Sequence, residues 1–148
     1  MVVLQEVPEF AAQIRGDDCG SVALASLLTH AGFQVPVATI DQYIFDPIIG
    51  GSLLPMMENF VIDLGAKPQT GRGDLKFLRT RIVAGKPVLL PIDLGWGAWR
   101  RAHYVVVFGF GPENFLLHER QGKTVIMKAA ELKQRWQKMG FLFLYLDG

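Results

Sequence analysis

The stretch Gln13-Ile14-Arg15-Gly16-Asp17-Asp18-Cys19-Gly20-Ser21, which runs into the apolar segment Val22 to Ala31, decides how this chain folds. The apolar residues of that segment lie too close together for one narrow helical face, so they predict a largely buried helix. Asp17 and Asp18 suit the turn that enters the helix, because short polar side chains accept hydrogen bonds from its first free N–H groups. We therefore expect Cys19 at or near the helix N-terminus.

Cys19 is the only cysteine of the chain, and its position suggests a nucleophile. The partial positive charge at a helix N-terminus favours a thiolate over a thiol. Gln13 lies six residues upstream, so its side-chain amide can turn back beside the sulfur, as an acyl-transfer site requires. The alternative is that Cys19 is a small buried hydrophobe, which is the commonest state of a lone cysteine beside an apolar helix.

A histidine far along the chain favours the catalytic interpretation. In Ala102-His103-Tyr104-Val105-Val106-Val107-Phe108-Gly109-Phe110, His103 stands at the start of a strongly β-prone run. The run is nearly continuous in apolar residues, which is typical of a central strand buried on both faces. A cysteine on a helix N-terminus and a histidine on a later strand can form a nucleophile and general-base pair.

The totals describe one ordinary globular domain, residues 1–148, in which half of the residues are hydrophobic. The net charge of +1 gives no electrostatic argument for binding nucleic acid. One cysteine excludes an intrachain disulfide and any multi-cysteine zinc site, and His30, His103 and His118 show no metal-ligand spacing. We therefore expect neither a metal nor another cofactor.

The N-terminal residues Met1 to Pro8 lack the basic region and long apolar core of a secretory signal. No apolar run is long enough to span a bilayer, so we expect no membrane insertion by this chain. A complete chain would then be cytoplasmic. A mature domain from the periplasm or an exported protein would have the same sequence features.

The order of the predicted elements argues for an α+β fold rather than alternating βαβ units. Helices are predicted first, and an antiparallel meander follows. The predicted helices are 22–31, a short one at 40–45, one carrying Met56 to Leu64 with Ser52 as N-cap, 75–84 with Asp74 as cap, and 129–138; the predicted strands are 88–92, 103–110, 115–119, 124–127 and 141–146. Residues 48–51 are interpreted as a flexible link and 67–73 as a loop.

The loop before His103 is a candidate for substrate recognition. It carries Trp96 and Trp99, followed by Arg100 and Arg101, and exposed aromatic and arginine side chains beside a site often bind substrate. The alternative for each tryptophan is that it covers the sheet edge as a buried residue. Tyr104, next to the histidine, is a further candidate substrate contact.

Gln13, Asp18-Cys19-Gly20 and His103-Tyr104-Val105-Val106-Val107 together resemble the double-glycine leader peptidases that process bacteriocins, and their papain-like relatives. The resemblance covers most of the chain and implies a papain-like fold with N-terminal helices packed on a C-terminal antiparallel sheet. It also implies that Cys19 is the nucleophile, His103 the base and Gln13 the oxyanion donor. The implied substrate is a peptide or protein with small residues before the cut, and the implied partner is an export system.

One feature departs from that family, which usually has Asp-Pro one strand after the histidine. This chain reads Leu116-Leu117-His118-Glu119-Arg120-Gln121-Gly122 instead. Spacing favours His118 as the residue that orients His103, whereas chemistry favours Glu119, because a carboxylate better stabilises a cationic imidazole. Side chains alternate along a strand, so only one of the two can face His103.

The sequence therefore predicts a cysteine peptidase that cleaves a leader or secreted peptide. If neither His118 nor Glu119 orients His103, the alternative is a catalytically silent papain-like domain that binds such a peptide in the same groove. A third possibility is a structural module in which Cys19 is buried.

Overall fold

The computed structural model describes residues 1–4, 19–95, 97–98, 101–118 and 123–147. Within these ranges the helices are α1 (Cys19–His30), α2 (Val37–Ile44), α3 (Leu54–Asp63), α4 (Leu75–Val83) and α5 (Ala129–Gln137). The strands are β1 (Val2–Val3), β2 (Phe45–Asp46), β3 (Gly51–Ser52), β4 (Pro68–Arg72), β5 (Val88–Asp93), β6 (Ala102–Phe110), β7 (Asn114–His118), β8 (Thr124–Lys128) and β9 (Leu142–Leu146).

One antiparallel sheet forms the middle of the described structure. Its strands follow the order β4-β9-β5-β6-β7-β8, and β1 pairs with the C-terminal end of β6. The strand β6 pairs along β5 on one side, from Val88 opposite Val107 to Asp93 opposite Ala102, and with β7 on the other. A bulge at Phe108 shifts the register to β7. β2 and β3 form a separate short hairpin.

Helices cover both faces of the sheet and create two hydrophobic cores. On one face, α1, α2 and α3 pack their apolar residues on Leu89, Val106 and Leu144. On the other, α4 and α5 pack on Val105, Val107 and their neighbours. The predicted α+β class is confirmed, but α4 joins α5 on the opposite face rather than packing with the other N-terminal helices.

Local sequence signals explain most helix boundaries. Residues 20–28 of α1 are buried, in agreement with its apolar sequence. The Asp74 side chain caps α4 by accepting a hydrogen bond from the Phe77 N–H at 2.7 Å. Pro55 lies in the first turn of α3, but Leu53 rather than Ser52 is the N-cap, because Ser52 belongs to β3.

Two segments predicted to be irregular contain strand residues. In the link at 48–51, residues 48–50 form the turn of the β2–β3 hairpin, as an irregular link allows, and Gly51 begins β3. The 67–73 loop contains β4, which pairs with β9 from Pro68 opposite Leu146 to Arg72 opposite Leu142. The loop prediction was wrong because the glycine and polar residues of β4 have low intrinsic strand preference. None of the helices in the described ranges has the length and hydropathy needed to cross a bilayer.

Candidate active site

Cys19 is the first residue of α1, as the sequence predicts, and its side chain is partly exposed. The next residue, Gly20, is buried against the hairpin. A Cβ on Gly20 would lie 2.8 Å from Met57 Cε and 3.1 Å from Ser52 Cβ, so glycine permits this close approach. The N-terminal end of α1 is therefore packed directly against β3, while the Cys19 side chain keeps contact with solvent.

His103 is the second residue of β6 and only 3% of its surface is exposed. It pairs with Ile92 of β5, and its Nε2 atom has no hydrogen-bond partner in the described structure. Burial lowers the pKa of His103 to about 4, and the positive charge of Arg101 lowers it further in the same direction. The imidazole is therefore neutral at pH 7, and its buried Nε2 atom has no partner among the described residues.

Cys19 and His103 line the same cavity, whose volume is about 350 Å³. The two residues are separated by 84 positions in sequence but both lie where α1 meets the start of β6. The other lining residues come from the β2–β3 hairpin, the start of β6 and the segment after α5: Ile49, Gly50, Gly51, Ser52, Leu53, Arg101, Ala102, Tyr104 and Met139. A thiol, an imidazole and a neighbouring hydrophobic wall thus share one cleft.

Tyr104 connects the two sides of this cleft. Its hydroxyl donates a hydrogen bond to the backbone carbonyl of Ser52 at 2.8 Å, which fastens the hairpin to β6. Burial raises the pKa of Tyr104, and the negative charge of a Cys19 thiolate raises it further. Tyr104 therefore lines the cleft, as a substrate contact must, and its hydroxyl proton is engaged by the Ser52 carbonyl.

Asp93 closes the loop that leads from β5 back to His103. Its carboxylate accepts hydrogen bonds from the backbone N–H groups of Gly95 and Arg101, both at 2.8 Å. The Leu94 N–H donates to the Arg101 carbonyl, also at 2.8 Å. Asp93 is only 2% exposed, so it is a buried carboxylate that holds the loop by these hydrogen bonds rather than a solvated surface carboxylate. Its spacing in the sequence gives no sign of this role.

The described register does not place His118 beside His103. His118 pairs with Val106, which lies three positions along β6 from His103, and the His118 ring stacks on Phe108 with centroids 4.4 Å apart. Side chains three positions apart on a strand point to opposite faces. Gln13, Trp96, Trp99 and Glu119 lie outside the described residues.

The sequence missed the residues of the hairpin wall. Ile49, Ser52 and Leu53 lie thirty or more positions from Cys19 and carry no motif, so only the packing of Gly20 on β3 places them at the cleft. Among the described residues, no group of three histidine, cysteine or acidic side chains is arranged to hold a metal ion.

Comparison with known proteins identifies a family. The sequence profile described as "Peptidase C39 family" matches residues 8–144. No curated protein sequence matches the chain.

Solved structures of similar fold cover nearly the whole chain. The peptidase domain of Streptococcus ComA, a bi-functional ABC transporter involved in quorum sensing, has a TM-score of 0.75 at 19% identity, with 93% of this chain and 96% of that chain covered. A putative C39-like peptidase from Bacillus anthracis has a TM-score of 0.78 at 17% identity, covering 99% and 97%. A double glycine motif protease from an AMS/PCAT transporter, solved in complex with the leader peptide, has a TM-score of 0.76 at 16% identity, covering 97% and 94%. These similarities confirm the papain-like peptidase fold predicted from the sequence.

Proposed function

The chain belongs to the peptidase C39 family, and from that premise we propose that it is a cysteine peptidase that cleaves a peptide bond in a leader or secreted peptide. The observation that carries the proposal is the cavity lined by both Cys19 and His103. The partly exposed Cys19 argues against a structural module with a sealed thiol.

In the proposed mechanism the Cys19 sulfur attacks the carbonyl carbon of the scissile bond while the His103 imidazole accepts the thiol proton. Collapse of the tetrahedral intermediate breaks the C–N bond, and His103 returns the proton to the leaving amine. A water molecule, deprotonated by His103, then hydrolyses the thioester and releases the acid product. Gln13 and the backbone N–H of Cys19 donate to the oxyanion in both steps.

The state of His103 meets one requirement of a general base. Its low pKa keeps the ring neutral before substrate arrives, and a base must be unprotonated when the thiol loses its proton. A pKa of about 4 also makes the ring a weak base at pH 7, so the proposed mechanism requires the bound substrate to raise the His103 pKa.

The third member of the site is proposed by elimination. His118 stacks on Phe108 and pairs with Val106, which does not favour it as the residue that orients His103. Glu119 is the remaining candidate, and its role stays a prediction.

The structural neighbours suggest the substrate class. One of them is a double glycine motif protease bound to a leader peptide, and another is a domain of an ABC transporter. We infer by analogy that this chain cleaves after small residues of a leader peptide and associates with an export system.

The direct test uses a synthetic leader-like peptide with Gly-Gly before the cut and a matched peptide with Leu-Leu at the same place. The unmodified protein should cleave only the first peptide, and Cys19→Ala should abolish cleavage without changing the melting temperature by more than about 2 °C, since the side chain is partly exposed. Cleavage that survives in Cys19→Ala would refute the mechanism. A large loss of stability in that variant would place the thiol in the core.

A second candidate is the catalytically silent domain that binds the peptide without cutting it. The burial of His103 and the charge of Arg101 both disfavour an imidazolium, which a stable thiolate–imidazolium pair needs. Iodoacetamide at mildly acidic pH separates the possibilities. Labelling of Cys19 faster than free cysteine supports the peptidase, labelling at the ordinary rate supports the binding domain, and labelling only after unfolding contradicts both.

A further inference from the structure

Arg101 presents a fixed positive charge at the mouth of the cleft. It is exposed, lies immediately before β6, and lines the cavity together with Cys19 and His103. Its backbone is held at both ends, because its N–H donates to the Asp93 carboxylate and its carbonyl accepts from the Leu94 N–H. The Arg101 side chain therefore extends from a fixed backbone position, two residues before His103.

The charge of Arg101 has no acidic partner among the described residues. The remaining lining residues outside the Cys19–His103 pair are uncharged, and Ile49, Leu53 and Met139 are apolar. Water screens a charge less on the side where an apolar wall excludes it. The charge of Arg101 should therefore distinguish more strongly between acidic and neutral ligands.

We propose that Arg101 is a specificity-determining residue that binds an acidic side chain of the peptide substrate close to the scissile bond. This inference rests on the proposed function and deepens it by naming a chemical feature of the substrate. An extended peptide advances by about 3.3 Å per residue, so an arginine two positions from His103 can reach a carboxylate within about three residues of the cut. A guanidinium binds a carboxylate through two parallel hydrogen bonds, which gives the contact directional selectivity.

The same charge links recognition to catalysis. Arg101 contributes to the low pKa of His103, so the unliganded cleft disfavours a protonated imidazole. An acidic side chain paired with Arg101 offsets that effect when His103 takes the thiol proton. A substrate carboxylate thus promotes both binding and the first proton transfer.

The test compares Gly-Gly peptides that differ only by Glu or Gln at one position, scanned across the three residues on each side of the cut. At one position the unmodified protein should cleave the Glu peptide with a kcat/KM about tenfold higher, the size expected for one charge-assisted contact. Arg101→Ala should remove this preference, Arg101→Lys should restore part of it, and Arg101→Glu should favour a peptide with Lys at that position. Added salt should reduce the preference.

Lys67→Ala is the matched control, because it removes one exposed positive charge at the end of the sheet opposite Asp93, where Pro68 pairs with Leu146. It should keep the full Glu preference.

If the unmodified protein cuts no peptide, the peptidase proposal fails. Fluorescence anisotropy of labelled Glu and Gln peptides bound to the same variants then decides the role of Arg101. Equal cleavage or equal binding of the two peptides at every position, or a preference that persists in Arg101→Ala, would overturn the inference.

Discussion

The imidazole of His103 lies at the start of β6 with almost no contact with water, so its charged form loses most of its hydration. Unfolding restores that hydration, and the His103 pKa then returns from about 4 to its ordinary value of 6.5. The folded and unfolded states consequently bind different numbers of protons between these two pH values. A histidine that burial keeps neutral at pH 7 therefore makes the fold sensitive to acid.

We expect the free energy of unfolding to fall as the pH is lowered from 6.5 to about 4, because only the unfolded state takes up the His103 proton in that window. The contribution of His103 to this loss is about 3 kcal/mol. Above pH 6.5 the residue is neutral in both states and contributes no pH dependence. Urea denaturation at a series of pH values measures the loss.

His103→Gln provides the comparison, because glutamine does not titrate while the carboxylates of the protein still do. The difference in pH dependence between the two proteins isolates the histidine. Parallel curves for the two proteins would show that His103 is accessible to protons in the folded state.

At the residue level the sequence predicts the positions of Cys19 and His103 well and their surroundings poorly. Cys19 and His103 follow from local signals, a helix start and a strand start, and both line one cavity. The burial of Asp93 and the bond from Tyr104 to Ser52 depend on contacts between distant segments. No propensity or spacing encodes such contacts, so these roles appear only in the folded chain.

At the level of elements, helices with strong apolar patterns were predicted and short strands were not. The helix α4 has both its cap and its apolar residues where the sequence indicates. The strands β3 and β4 contain glycine and polar residues, and they are strands because β2 and β9 offer backbone partners. Strand formation depends on such partners more than on intrinsic preference.

Two backbone N–H groups of the loop between β5 and β6 donate hydrogen bonds to the Asp93 carboxylate. Asp93→Ala removes the acceptor of two backbone N–H groups and leaves them without their partner, which should destabilise the protein by about 3 kcal/mol. It should also lower kcat/KM, because the backbone of Arg101 leads directly into His103. Chemical denaturation and peptide cleavage measure the two effects.

Asp74→Ala tests whether this effect is specific to the loop. Asp74 also caps a backbone N–H, that of Phe77, but at the exposed start of α4. Its loss should cost about 1 kcal/mol and leave kcat/KM unchanged. Unchanged catalysis in Asp93→Ala would mean that His103 is positioned without the loop.

On the scale of the whole molecule, the sheet separates two cores, and one of them includes the helix that begins at Cys19. The core formed with α1 connects the helix that carries Cys19 to the strand that carries His103. The core formed with α4 and α5 supports the opposite face of the same strand. We expect the position of Cys19, and with it the geometry of the cleft, to respond more to packing defects beneath α1 than to defects on the opposite face of β6.

Two neighbouring valines of β6 test this separation, because Val106 packs in the core with α1, Val107 packs in the core with α4 and α5, and both are completely buried. Each substitution by alanine removes two buried methyl groups and should lower the free energy of unfolding by about 2 kcal/mol. Val106→Ala leaves its cavity beneath α1, so it should also reduce kcat/KM severalfold at a temperature where both variants remain folded. Val107→Ala should retain the original kcat/KM. The two residues are adjacent and identical, so the variants differ only in the core that is disturbed. Equal losses of activity would mean that the geometry of the cleft depends on the stability of the sheet as a whole. A larger loss in Val107→Ala would mean that contacts on the α5 side position His103.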